Sequence, residues 1–286
     1  MSKYTASKFI LRRLLFAVFA AAVIAAAPAA AQTKPKVVET GVAQPQTAIF
    51  IGNSFFYYNN SMHNHLLLLA RSAEPPVKMR ATSVTISGSG FGWHDVDSYF
   101  RPNAIGSYSF DLDNHIVFNE PRDKLFDLAI MMDCSQCPIH PQLQANFFEY
   151  AKKDSATVRK HGAVPVFFMS WAYADRPEMT QALADAYTKA GNDNDVLVVP
   201  AGLAFANAIK RDPELILYAY DRRHPSPAGT YLAACTLYAS LFKKSPVGLT
   251  YTAGLGSHTA HFLQTVAWET VQDYYGRTDQ VTATTK

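Results

Sequence analysis

The chain is poor in the residues that a metal site or a disulfide framework needs. It has three cysteines in 286 residues, at Cys134, Cys137 and Cys235. Cys134 and Cys137 have C-x-x-C spacing, but a structural zinc site would need a second such pair. A thioredoxin-like redox site would follow the first strand of its fold and open a helix, whereas this pair follows a later apolar run. The pair therefore reads as structural or incidental. No H-E-x-x-H or similar ligand motif is present, and His63 and His65, at i and i+2 of a helical stretch, point apart. No metal is expected.

A basic surplus is also missing from the part that folds. The whole chain carries a formal net charge of +3, but Lys3, Lys8, Arg12 and Arg13 account for it. Those four head an apolar run over 14–27, followed by Ala29-Ala30-Ala31. This is the order of a secretory signal peptide, read as residues 1–31 with cleavage before Gln32. Without that segment 22 basic side chains face 23 acidic ones, a net charge of −1. Nucleic acid is accordingly not expected as a partner. A periplasmic or secreted protein with no stable membrane anchor after cleavage is the expectation.

Long structureless or repetitive stretches are few. Residues 32–46 are polar and Pro-containing and read as a flexible lead-in, and 278–286 as a tail. Between them, 47–277 reads as one domain. Short apolar runs at 48–51, 77–86, 126–132, 164–171 and 196–199 have the length and bounds of buried strands. Helical periods at 62–71, 147–160, 177–190, 202–210, 228–242 and 259–275 alternate with them. Apolar strands separated by helices describe an α/β protein, a three-layer α/β/α sandwich around a five-stranded parallel sheet. The segment 93–124 has no clear period and reads as an insertion near one strand end, placed as a possible part of a substrate wall.

Such sheets bind ligands beyond the carboxyl ends of their strands. The first strand ends in Ile51-Gly52-Asn53-Ser54-Phe55, which can project the Ser54 hydroxyl into that crevice. A serine hydroxyl is a poor nucleophile until a base accepts its proton. Far downstream, Asp221-Arg222-Arg223-His224-Pro225 places a carboxylate three residues before an imidazole. On a bent loop the first can orient the second. Pro225 and Pro227 keep His224 out of a regular helix and open the one that follows. Taken singly, each segment also fits ordinary turn or cap chemistry.

Together they resemble the SGNH (GDSL-type) hydrolases. Gly52-Asn53-Ser54-Phe55 is similar to the Gly-Asp-Ser-Leu element that carries the nucleophile, and Asp221 to Pro225 to the D-x-x-H-P element. The likeness spans most of 47–243. It is especially close to an uncharacterised exported bacterial branch with an I-G-N-S strand end and an H-P-S-x-x-G-T-Y-L-A-A segment, here His224 to Ala234. The resemblance implies a flavodoxin-like fold and a Ser54–His224–Asp221 triad acting through an acyl-enzyme without a cofactor. Its oxyanion hole would use the N–H of Ser54, that of Gly88 (with Gly90 as runner-up) and a side-chain amide. The family pattern Gly-x-Asn-Asp is absent after the third strand, where Gln136 carries the one nearby amide. Asn53 belongs to the nucleophile element.

Tyr57, Tyr58, Trp93, His94 and Trp171 are candidate pocket residues by position. The implied substrate is a small-molecule or glycan ester, with carbohydrate O-acetyl groups foremost. Lipase or thioesterase activity and a non-catalytic glycan-binding protein are the alternatives.

Overall fold

Residues 33–120 and 124–277 are described by the computed structural model. The expected signal peptide and the tail lie outside them. The strand β1 (Thr47–Gly52) is buried along its whole length, as a continuous apolar run must be when helices cover both faces of a sheet. It pairs in parallel with β2 (Arg80–Thr85) on one side and with β5 (Leu128–Met131) on the other. Then follow β6 (Val164–Phe168) and β7 (Leu197–Val199), giving the order β2-β1-β5-β6-β7, parallel throughout.

The order reverses between β1 and β5. Right-handed crossovers then put α2 (Met62–Arg71) on one face, and α3 (Gln144–Lys160) and α4 (Met179–Asn194) on the other. The helix α6 (Pro227–Phe242) is apolar all round and buried from Ala228 to Leu241. It packs against α2, α5 (Ala201–Arg211) and α7 (Ser257–Tyr274), so neighbours surround it rather than water on one side. The expected three-layer architecture is the observed one. The gap where the strand order reverses is where such a sheet holds its ligand.

Two expectations need correction. Residues 33–46 are not a loose lead-in. The Thr33 and Lys36 N–H groups donate to Asp185 and Asn192 of α4, and Val37, Val38 and Val42 pack on the core. The insertion 93–124 is not a substrate wall over its length. It contains an antiparallel hairpin of β3 (Tyr108–Phe110) and β4 (Ile116–Phe118). Tyr108 and Asn119 share a cavity of about 260 Å³ with Thr47 and Arg80, the first residues of β1 and β2. The hairpin thus sits at the amino end of the sheet, opposite Ser54.

On α3, Asp154 is buried, and among the described residues its Oδ2 has no hydrogen-bond partner. Burial pushes its pKa up to about 7, with Lys153 pulling against the shift and Asp133 adding to it. The folded state then binds more protons than the unfolded chain between about pH 4 and pH 7, so this group's contribution to stability falls as pH rises through that window. Asp154→Asn should raise stability at pH 8 by on the order of 2 kcal/mol and flatten its dependence on pH. Denaturant titrations at pH 5 and pH 8 check this, and a loss of stability at both would contradict it.

Candidate active site

The nucleophile position is set by the end of β1. Gly52 permits a close return of the chain, since a Cβ there would lie 2.8 Å from the Phe56 ring and 3.3 Å from the Met132 carbonyl. Asn53 then caps the short helix α1 (Ser54–Tyr57), its Oδ1 accepting from the Phe55 N–H at 3.2 Å. Its amide donates to the carbonyls of Ser89 and Asp133, both at 3.0 Å. One side chain therefore fixes the loops after β2 and β5 against the start of α1. With its donors used, Asn53 is not a free oxyanion donor.

His224 reaches the same point from the loop between α5 and α6. Arg222 turns the chain at φ 63°, and the Ala219 N–H donates to the His224 carbonyl at 2.8 Å. Ser226 caps α6 by accepting from the Gly229 N–H, and Pro227 is in its first turn. The result is a 2.8 Å contact between His224 Nε2 and Ser54 Oγ across 170 residues. The other ring nitrogen, Nδ1, bonds Asp221 Oδ2. An ionised carboxylate only accepts, so Nδ1 carries the proton and Nε2 is left to accept from the serine hydroxyl.

Desolvation opposes the Asp221 charge. The His224 side chain and the N–H groups of Arg223 and His224 (both 3.0 Å) outweigh it and hold the carboxyl below its ordinary pKa.

The proposed oxyanion donors occupy the loops that Asn53 ties together. Gly88 has φ 72°, a conformation that favours glycine, and a Cβ there would meet nothing within 4 Å. Among the described residues, neither the Ser54 N–H nor the Gly88 N–H is engaged in a hydrogen bond. Gly90 serves close packing instead, since a Cβ there would be 2.5 Å from Asp133 Oδ1. That oxygen accepts from the Phe91 and Cys134 N–H groups. Burial pushes the Asp133 pKa up to about 6 against the pull of these two donors.

After β5 the chain closes a Cys134–Cys137 disulfide. Gln136 lies within that small ring, half-buried, and heads the turn Cys137–Ile139. Its side-chain amide makes no hydrogen bond among the described residues.

The pocket candidates divide. Trp171 is fully buried, stacked between Phe55 at 4.5 Å and Phe205 at 4.3 Å, with its Nε1 donating to the Arg223 carbonyl. It supports α1 and the histidine loop from within and does not wall a pocket. His94 is also interior, bonded to Ser89, to the Gly52 carbonyl and to Tyr99. Burial lowers its pKa, with the Gly52 carbonyl acting against the shift. Both expectations are corrected by burial.

Tyr57 is 39% exposed, with its hydroxyl 3.1 Å from Ser87 Oγ, and Trp93 is 65% exposed on the loop beyond Gly90. Tyr58 lies flat on the His224 ring, with centroids 4.1 Å apart. His63 and His65 share no ligand position: His65 bonds Asn59 and Tyr251, while His63 packs beside Phe50.

Three solved structures are similar in architecture. A DUF4886 family protein from Bacteroides uniformis is 17% identical, with a TM-score of 0.60 over 80% of this chain and 96% of its own. A candidate SGNH hydrolase from Slackia heliotrinireducens is 20% identical, with a TM-score of 0.51 over 68% of this chain and 98% of its own. The fold is that of the SGNH hydrolases. A candidate GDSL-like lipase from Parabacteroides merdae is similar to this chain at 10% identity, with a TM-score of 0.52 over 72% of this chain and 99% of its own. No family model and no curated relative matches the sequence.

Ser54 follows the first strand, and the disulfide loop occupies the place after β5 where the sequence resemblance led to the expectation of Gly-x-Asn-Asp. Sequence reasoning missed Asn59, whose amide donates to the Pro225 carbonyl and to Thr230 Oγ1, both at 2.8 Å. The run Asn59-Asn60-Ser61 signals a turn, because asparagine tolerates the left-handed region, and all three residues do have positive φ, but the run does not signal the bridge.

Proposed function

We propose that the protein is a serine ester hydrolase acting through Ser54, His224 and Asp221. The 2.8 Å contact between Ser54 Oγ and His224 Nε2, with Asp221 on the opposite ring nitrogen, carries this reading. Ser54 Oγ attacks the ester carbonyl carbon as His224 Nε2 takes its proton. The carbonyl π pair moves onto oxygen, facing the N–H groups of Ser54 and Gly88 and the Gln136 amide. On collapse the C–O bond to the alcohol breaks, and His224 returns the proton to that alcohol. Water, deprotonated by the same imidazole, then attacks the acyl-enzyme and releases the acid and Ser54. Asp221 keeps the productive tautomer and balances the transient imidazolium.

The proposed substrate is a short acyl ester, with O-acetyl groups on carbohydrate foremost. The exposed rings of Tyr57 and Trp93 beside the Gly88 loop suit the face of a sugar. The proposed location is periplasmic or secreted. The 1–31 segment and the Cys134–Cys137 disulfide support it, because disulfides persist in oxidising compartments. Among the described residues no helix is long and apolar enough to cross a membrane.

A non-catalytic glycan-binding protein is the second reading, favoured by the missing Gly-x-Asn-Asp. Incubation with p-nitrophenyl acetate, butyrate and octanoate separates the two. Turnover fastest on acetate is expected, and binding of acetylated glycan with no turnover of any ester would favour the second reading.

A further inference from the structure

The segment directly after the nucleophile touches three parts of the site in succession. Tyr57 bonds Ser87 beside Gly88, Tyr58 lies on the His224 ring at an interplanar angle of 8°, and Asn59 bonds Pro225 and Thr230. Asn59, Asn60 and Ser61 take φ values of 50°, 70° and 66°. Three consecutive left-handed residues other than glycine are costly and persist only when their surroundings over-determine them.

Here the determinants are visible. The Asn59 carbonyl accepts from His65 Nε2 at 2.6 Å, which fixes the protonated nitrogen and leaves Nδ1 to accept from the Tyr251 hydroxyl at 2.8 Å. Burial lowers the His65 pKa, with the Asn59 carbonyl acting against it, in keeping with this neutral tautomer. Tyr251 in turn gives its carbonyl to the buried Tyr231 hydroxyl of α6. The segment is therefore anchored on α2 and α6, independently of the triad.

We propose that Asn59 is a positioning residue for the hydrolysis assigned above: its side-chain amide straps the histidine loop to the nucleophile helix and sets the Ser54–His224 separation. The inference rests on the esterase reading. The amide offers two N–H donors, and one acceptor on either side of the start of α6 takes each of them. Residue 225 directly follows the base and residue 59 lies five positions after the nucleophile, so the strap is short. Tyr58 completes it by confining the imidazole to one plane, with its face available to the imidazolium that forms during turnover.

The test compares Asn59→Gly, Asn59→Asp and Asn60→Gly. Glycine keeps the left-handed backbone at 59 and removes both bonds, and aspartate keeps the size and removes both donors. Asn60→Gly relaxes the neighbouring position without touching the strap, because the Asn60 side chain makes no such bridge.

Both variants at 59 should lose about 10- to 100-fold in kcat with KM little changed, as for a small misplacement of a catalytic group. Asn60→Gly should match the parent. Equal kcat in all four proteins, a change confined to KM, or the same loss in Asn60→Gly would overturn the proposal.

A crystal structure of Asn59→Gly tests it without turnover. His224 Nε2 should leave hydrogen-bond reach of Ser54 Oγ, and retention of the 2.8 Å contact would overturn the strap even if no ester were hydrolysed. Failure of the esterase reading would show separately, as an absence of Ser54-dependent hydrolysis in the parent.

Discussion

Ser54→Ala is expected to lower kcat/KM for p-nitrophenyl acetate by about 10⁴-fold or more while leaving the fold intact. Among the described residues the serine hydroxyl makes one hydrogen bond, to His224, so its removal strands no other group there. Residual turnover would come from the proposed oxyanion donors and substrate binding. His224→Ala should cost a similar factor, and the double variant should be hardly worse than either, because the two act as one unit. Asp221→Asn should also fall steeply, since an amide at that position can donate to Nδ1 and favour the wrong tautomer. Steady-state kinetics with each variant checks the series. Hydrolysis that persists in Ser54→Ala at the parental rate would remove the triad from consideration.

The largest effect on stability should come from Trp171→Ala, at about 3–5 kcal/mol. The indole is fully buried between two parallel rings and its N–H satisfies the Arg223 carbonyl. Alanine leaves a cavity under α1 and an unpaired carbonyl one residue before His224. Trp171→Phe should keep most of the stacking and lose about 1 kcal/mol with the hydrogen bond. Chemical denaturation of the three proteins measures both. A loss below about 1 kcal/mol for Trp171→Ala would contradict the buried sandwich, and unaltered esterase activity in it would deny that the stack supports Phe55 and the histidine loop.

That tryptophan also shows where sequence reasoning stops. Its place just after an apolar strand suggested a pocket wall, but whether a ring at a strand end faces solvent or the interior is decided by tertiary neighbours. His94 failed for the same reason. The central strands were legible because burial on both faces leaves an uninterrupted apolar run, as in β1 and β5. The edge strand β2 is only half-buried, so its apolar pattern blurs into its flanks and its expected span was too long. The hairpin β3–β4 was not legible, because Phe110, Ile116 and Phe118 are exposed apolar residues rather than one face of a buried strand.

In the candidate site, Ser54 and the Asp221–His224 pair were legible because each sits in a short local element. Asn59 was not, since nothing in an Asn-Asn-Ser turn tells a bridging amide from a solvated one. Whether Cys134 and Cys137 pair was likewise open, because C-x-x-C spacing fits several fates and the backbone of the loop selects among them.

Reaction of the parent protein with a fluorophosphonate, followed by peptide mass spectrometry, tests most directly whether position 54 is a nucleophile activated by its imidazole neighbour. One phosphonyl group should appear, on the peptide containing Ser54, and labelling should nearly vanish in His224→Ala. No adduct, or an adduct on another residue that survives the loss of His224, would contradict the account.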